Sequence, residues 1–182
     1  MNAPKELNLW ANLRNPDEIY SERITIQRDE YLVAEGMVDQ YLYIVEEGAF
    51  KIYYINEYQE QIIRFGYPDS IMNSPVSFFT GAPSEFYIQA LKKSVLLRIH
   101  RNDFYDYIKQ NSTFLLQYTQ ALEAIVTQLI TRETDLLTAS PTERYQRVFK
   151  RSPQLFQHIP AKYIASYLRM TPETFSRIRA QK

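Results

Sequence analysis

The chain has 182 residues, no cysteine and only two histidines. That composition excludes disulfides, thiolate zinc sites, cysteine-ligated iron-sulfur clusters and cysteine nucleophiles, and leaves little for a histidine metal cage. Hydrophobic residues at 45% and aromatics at 14% describe a folded chain, and with no apolar run suited to a signal peptide or a membrane span the expectation is a cytoplasmic protein with no membrane partner. Its formal net charge of zero hides a division: residues 1–140 carry 12 Lys and Arg against 19 Asp and Glu, net −7, whereas residues 141–182 carry 9 against 2, net +7. An acidic body with a basic end points to nucleic acid at that end, the alternative being a basic helix docked on the acidic body.

In chain order, residues 5–22 predict one or two short helices, with Asn15, Pro16 and Asp17 as a helix start. From Arg23 to His100 the pattern is that of short strands: Ile24–Gln27, Tyr31–Ala34, Tyr41–Glu46, Ala49–Ile55, Gln61–Phe65, Phe86–Leu91 and Val95–His100. They are rich in β-branched and aromatic residues and separated by turn residues, which suits a small all-β barrel or sandwich.

After Arg101 the period changes. Ile108, Leu115, Leu122, Leu129 and Leu136 recur every seven residues, with Tyr118 and Ile125 on the same stripe, and no Pro or Gly interrupts residues 101–140. The spacing predicts one long helix, too long for a small barrel to cover, with part of its stripe on a second copy in a two-fold dimer, the alternative being a stripe packed on the barrel alone. Asn111 and Arg132 are polar at seam positions, and Asn111, Ser112 and Thr113 match a glycosylation tripeptide that has no use without secretion.

Ser140, Pro141 and Thr142 end that helix and start "TERYQRVFKR"; Pro160 opens "AKYIASYL". The turn "RMT" follows, Thr171 caps a new helix, and Pro172 takes its first position. A helix, a short turn and a capped second helix form the helix-turn-helix pattern. Phe175 and Ile178 anchor the second helix inward and leave Glu173, Thr174, Ser176, Arg177 and Arg179 outside. Arginine can bind guanine bidentately, glutamate can accept from cytosine N4, and hydroxyls can hold phosphate.

Barrel, long helix and terminal helix-turn-helix, in that order, resemble the Crp/Fnr transcription regulators. "DEYLVAEGMVDQYLYIVEEGAFKIYY" resembles the family's opening hairpins, with Gly36 and Gly48 at the turns, and "KYIASYLRMTPETFSRIR" resembles the helix-turn-helix of the Bacteroidetes-type branch. The resemblance implies an α+β chain. Residues 1–100 would form a cyclic-nucleotide-binding-like β-roll, a double-stranded β-helix of jelly-roll type, acting as sensor. Residues 101–140 would form a dimerisation helix carrying Ile108, Leu115, Leu122, Ile125 and Leu129. Residues 141–182 would form an all-α, winged-helix-like helix-turn-helix domain. Glu173 and Arg177 would then read bases, and Thr171, Thr174 and Ser176 would contact phosphate or base edges. Pro172 stands where the best-known members have a base-reading arginine, and Arg169 stands where the family turn has glycine, placing another cation near DNA. Double-stranded DNA, a second copy and RNA polymerase are the implied partners, and no catalytic activity is implied.

The family's ligand site needs a Gly-Glu pair and an arginine for the cyclic phosphate. Here Asn73 and Ser74 stand for the pair, and Ser84 for the arginine with Glu85 beside it. The expectation is that cyclic AMP is not bound and that no cofactor is required. Phe78, Phe79, Phe86 and Tyr87 would either fill the roll or line a site for another small molecule. Two rival readings are a signalling module that binds a protein partner and no DNA, and a cupin-like metal enzyme, for which a single histidine near a strand, His100, is too few.

Overall fold

The computed structural model describes residues 13–15 and 18–181. The predicted helix start at Pro16 and Asp17, and most of the proposed N-terminal helical segment, lie outside the described residues.

Eight strands form two four-stranded antiparallel sheets. They are β1 (Glu22–Ile26), β2 (Tyr31–Val33), β3 (Tyr41–Glu47), β4 (Phe50–Asn56), β5 (Gln59–Gly66), β6 (Ile71–Met72), β7 (Tyr87–Ala90) and β8 (Ser94–His100). One sheet runs β1-β8-β3-β6 and the other β2-β7-β4-β5. The sheets face each other across Val33, Tyr43, Val45, Phe50, Ile52, Ile88 and Leu96. Gly48 turns the chain between β3 and β4 at φ +109°, where a Cβ would stand 1.9 Å from Ser94 Oγ and 2.7 Å from Ser94 Cα. No other residue fits that turn without moving β8.

Helices cover the outer faces of both sheets, which is why β3 reads as a nearly continuous apolar run. On the first sheet, Leu42, Ile44, Leu97 and Ile99 meet Phe104, Ile108, Phe114 and Ala121 of α2 (Arg101–Gln110) and α3 (Ser112–Leu137). A short α1 (Pro75–Thr80) adds Phe78 to that cluster. On the second sheet, Tyr53, Ile62 and Phe65 share a core with Tyr145, Val148, Leu155, Ile164 and Phe175. These last belong to α4 (Pro141–Arg151), α5 (Leu155–His158), α6 (Ala161–Tyr167) and α7 (Pro172–Ala180). The C-terminal helices therefore rest on the roll through apolar and aromatic surface, with Tyr167 edge-on to Phe65 at 5.5 Å and His158 stacked on Tyr67 at 5.6 Å. No strand follows His100 among the described residues, so the winged part of the expected helix-turn-helix domain is not seen within them. No helix among the described residues is long and apolar enough to cross a membrane.

The single helix expected over residues 101–140 is broken. Asn111 is extended, at φ −129° and ψ 94°, and caps both neighbours: its amide donates to Ile108 O, and its side-chain oxygen accepts from Phe114 N at 3.0 Å. The tripeptide Asn111, Ser112 and Thr113 is thus a helix start, since short polar side chains satisfy the orphan amides of a first turn. The bend lets Phe114 and Tyr118 turn edge-on to Phe104, with ring centroids at 6.2 and 5.3 Å.

That bend also corrects the stripe. Ile108 lies in α2 and is 8% exposed, inside the chain's own core, so it cannot serve an intermolecular seam. Tyr118 packs on that core as well, and Ile125 is half-buried. Leu115, Leu122 and Leu129 are exposed on α3, together with Leu116, Val126, Ile130 and Leu137. Within α3 the exposed positions Leu115, Leu122, Val126 and Leu129 step by threes, fours and sevens along one side.

Candidate nucleic-acid interface

The last two helices are held by their turn. After α6, Leu168 N donates to Ile164 O, Arg169 N to Ser166 O and Met170 N to Ala165 O. This arrangement satisfies the carbonyls at the helix end and requires one left-handed residue. Arg169 supplies it at φ +54°. A side chain in that conformation costs about 1 kcal/mol relative to glycine. Ala165, 1% exposed, lets α7 approach α6 closely.

Helix α7 then starts on Thr171, whose hydroxyl accepts from Thr174 N at 3.2 Å, with Pro172 at the first position. Phe175 and Ile178 are buried; Phe175 stacks parallel to Phe156 at 6.4 Å and meets Tyr145 edge-on at 5.6 Å. With that side fixed, Thr171, Glu173, Ser176, Arg177 and Arg179 stand exposed, and Thr174 is half-buried. Pro172, Glu173, Ser176, Arg177 and Ala180 line a shallow open depression on this face. Glu173 accepts from its own amide and from the Thr171 hydroxyl, which holds its carboxyl below the usual range and keeps it an anionic acceptor at neutral pH. Arg169, Arg177 and Arg179 have no ion pair or hydrogen-bonded side-chain partner among the described residues.

The basic end is therefore of two kinds. Three of its cations are committed inward. Arg147 Nε donates to Asp135 Oδ1 at 2.7 Å, and Arg151 pairs with the other oxygen of the same carboxylate, which is 2% exposed. Arg144, 9% exposed, donates only to backbone carbonyls among the described residues. The remaining described cations stay at the surface. Neither Asp135 nor Arg144 stood out in the sequence, because a charged residue on an amphipathic helix ordinarily marks its solvated side.

The ligand region of the roll is differently built. Ser74 and Ser84 are 1% and 2% exposed, and Ser74 Oγ donates to Ser84 Oγ at 2.8 Å. Ser84 Oγ in turn donates to Phe86 O at 2.9 Å and accepts from Phe86 N at 3.1 Å. Asn73 is half-buried and Glu85 exposed. Of the four aromatics expected to fill or line the roll, Phe86 alone packs against the core between the sheets. Phe78 lies under α2, edge-on to Phe104; Phe79 is 43% exposed; and Tyr87 stacks on Tyr53 at the outer face. Strand alternation explains the last, since Ile88 and Ala90 take the inward positions of β7. No group of three or more His, Asp or Glu that could hold a metal occurs among the described residues.

Residues 23–111 match the model of the cyclic nucleotide-binding domain family. FixK2 from Bradyrhizobium japonicum is similar over 90% of this chain and 84% of its own, with a TM-score of 0.73 and 16% identity. A CooA mutant from Carboxydothermus hydrogenoformans is similar over 91% of this chain and 76% of its own, at 0.69 and 16%. The Thermus thermophilus catabolite activator protein is similar over 98% and 83%, at 0.56 and 20%. No curated protein matches the sequence. Residues 23–111 thus match a cyclic nucleotide-binding domain, and the chain shares its fold, at low sequence identity, with FixK2, CooA and the catabolite activator protein.

Proposed function

We propose that the chain is a sequence-specific, DNA-binding transcription regulator that acts as a homodimer. The observation that carries this reading is the outer side of α7. A capped helix, locked by two buried apolar side chains, presents an ionised glutamate, a serine hydroxyl and two arginines, unpaired among the described residues, to solvent. Glu173 and Arg177 read base edges in the major groove, while Thr171, Thr174, Ser176, Arg179 and Arg169 hold phosphates or flanking edges. The exposed apolar side of α3 is the two-fold seam, setting two α7 helices about 34 Å apart for successive major grooves. The two kinds of basic residue argue against a merely docked basic end, because the contact with the roll is apolar and the cations of α7 point elsewhere.

The roll acts without cyclic AMP in this reading. Its ligand residues are two buried serines that hydrogen-bond to each other, offering no carboxylate for a ribose and no guanidinium for a phosphate. Partner binding at the DNA-bound dimer then passes to RNA polymerase. Selection from random double-stranded DNA tests the function: enrichment of an inverted repeat supports it, and a pool that remains random after repeated rounds contradicts it.

A further inference from the structure

Arg144 is a buried cation with no carboxylate partner among the described residues. Its guanidinium spans two segments that are far apart in the chain. Nη1 donates to Thr138 O at 2.7 Å and Ala139 O at 2.9 Å, at the end of α3. Nε donates to Leu168 O at 3.0 Å and Nη2 to Arg169 O at 3.3 Å, in the turn that precedes α7. Four carbonyls that water would otherwise serve are thereby held by one planar fork, a geometry that a lysine ammonium cannot reproduce. One of them belongs to Arg169, the residue forced into the left-handed region.

Resting on the DNA-binding reading above, we propose that Arg144 is a positioning residue of that surface. It fastens the end of the dimer helix to the left-handed turn, so that the direction of α7 follows the direction of α3. The bidentate spread of the fork fixes an angle as well as a distance, because its two ends grip different segments.

The test is a double-mutant cycle of the full chain: the unmodified protein, Arg144→Lys, Arg169→Gly and the pair, each measured on the site selected by the unmodified protein and on a scrambled duplex. Arg144→Lys should remain a folded dimer and bind the selected site about tenfold more weakly, with little change on scrambled DNA. In the Arg169→Gly background the same change should cost about threefold or less, because glycine keeps the left-handed turn without the fork. Equal losses in both backgrounds, or no loss in either, overturn the proposal. Should Arg144→Lys not fold, hydrogen exchange of the Arg144 Nε–H in the unmodified chain decides. An Nε–H that exchanges as slowly as the backbone amides of α4 supports the fork, and exchange at the rate of a solvent-exposed guanidinium overturns it. If the unmodified protein selects no DNA, the functional reading fails, while the exchange measurement still reports on Arg144.

Discussion

Asp135 and Arg147 form the charged joint between α3 and the C-terminal helices: a carboxylate 2% exposed in the last turns of α3 accepts from Arg147 Nε of α4 at 2.7 Å, with Arg151 on its other oxygen. Both arginines are partly open to solvent, at 38% and 25%, so losing the carboxylate leaves them able to rehydrate. Asp135→Ala should therefore destabilise the chain by about 2 kcal/mol, short of the cost of stranding a fully buried charge. Urea unfolding checks the value, and an unchanged midpoint would show the joint to be idle.

Asp39 is expected to make stability fall as pH rises. It is 7% exposed, and burial pushes its carboxyl up to about 6, partly offset by the hydrogen bond from Tyr43 OH at 2.8 Å, by a backbone hydrogen bond and by the charge of Arg98. Its Oδ2 has no hydrogen-bond partner among the described residues. Because the folded-state value lies above the ordinary 3.8, the protonated form favours folding. Its contribution is complete below about pH 4 and is lost as pH rises through about 6, a change on the order of 3 kcal/mol. Asp39→Asn should remove this component, so the stability difference between the unmodified protein and the variant should move across that window and stay flat above it. A difference independent of pH would contradict the assignment.

The proposed seam separates two kinds of apolar position that look equivalent in sequence. Leu122→Glu or Val126→Glu on the exposed side of α3 should yield a folded monomer by analytical ultracentrifugation. Ile108→Glu should instead lower the melting temperature strongly, since it places a charge inside the core beneath the roll. If Ile108→Glu dissociated a dimer without loss of stability, the seam would lie on the other side.

These contrasts mark what the sequence could and could not disclose. The strands Tyr41–Glu47, Phe50–Asn56 and Ser94–His100 were legible because apolar runs of strand length stand between turn residues. Two-residue β6 was not, since Ile71 and Met72 are too few to show a period and owe their pairing to Tyr43 and Ile44. The break at Asn111 was hidden by the seven-residue interval from Ile108 to Leu115, which happens to cross it; the signal available was the run of three capping-type residues. At the terminal helices, Thr171, Pro172, Phe175 and Ile178 carry local cap and face information, and the placement of Glu173, Arg177 and Arg179 follows from them. Arg144 and Asp135 derive their burial from partners 24 and 12 residues away, which no local pattern encodes.

Ser74 and Ser84 lead to a further expectation. Calorimetric titration with cyclic AMP should give no heat above dilution, because neither serine can make a charge-assisted contact that offsets the burial of a phosphate. Saturable binding with micromolar affinity would contradict the reading of the roll.

The central claim is that α7 reads DNA, and Arg177 tests it most directly. The affinities of the unmodified protein and Arg177→Ala are to be compared on the selected site and on a scrambled duplex at two salt concentrations. The account predicts a loss of about 1 to 3 kcal/mol on the selected site, a much smaller one on scrambled DNA, and steep weakening of both proteins with salt. Equal affinity of the two proteins for the selected site would contradict it.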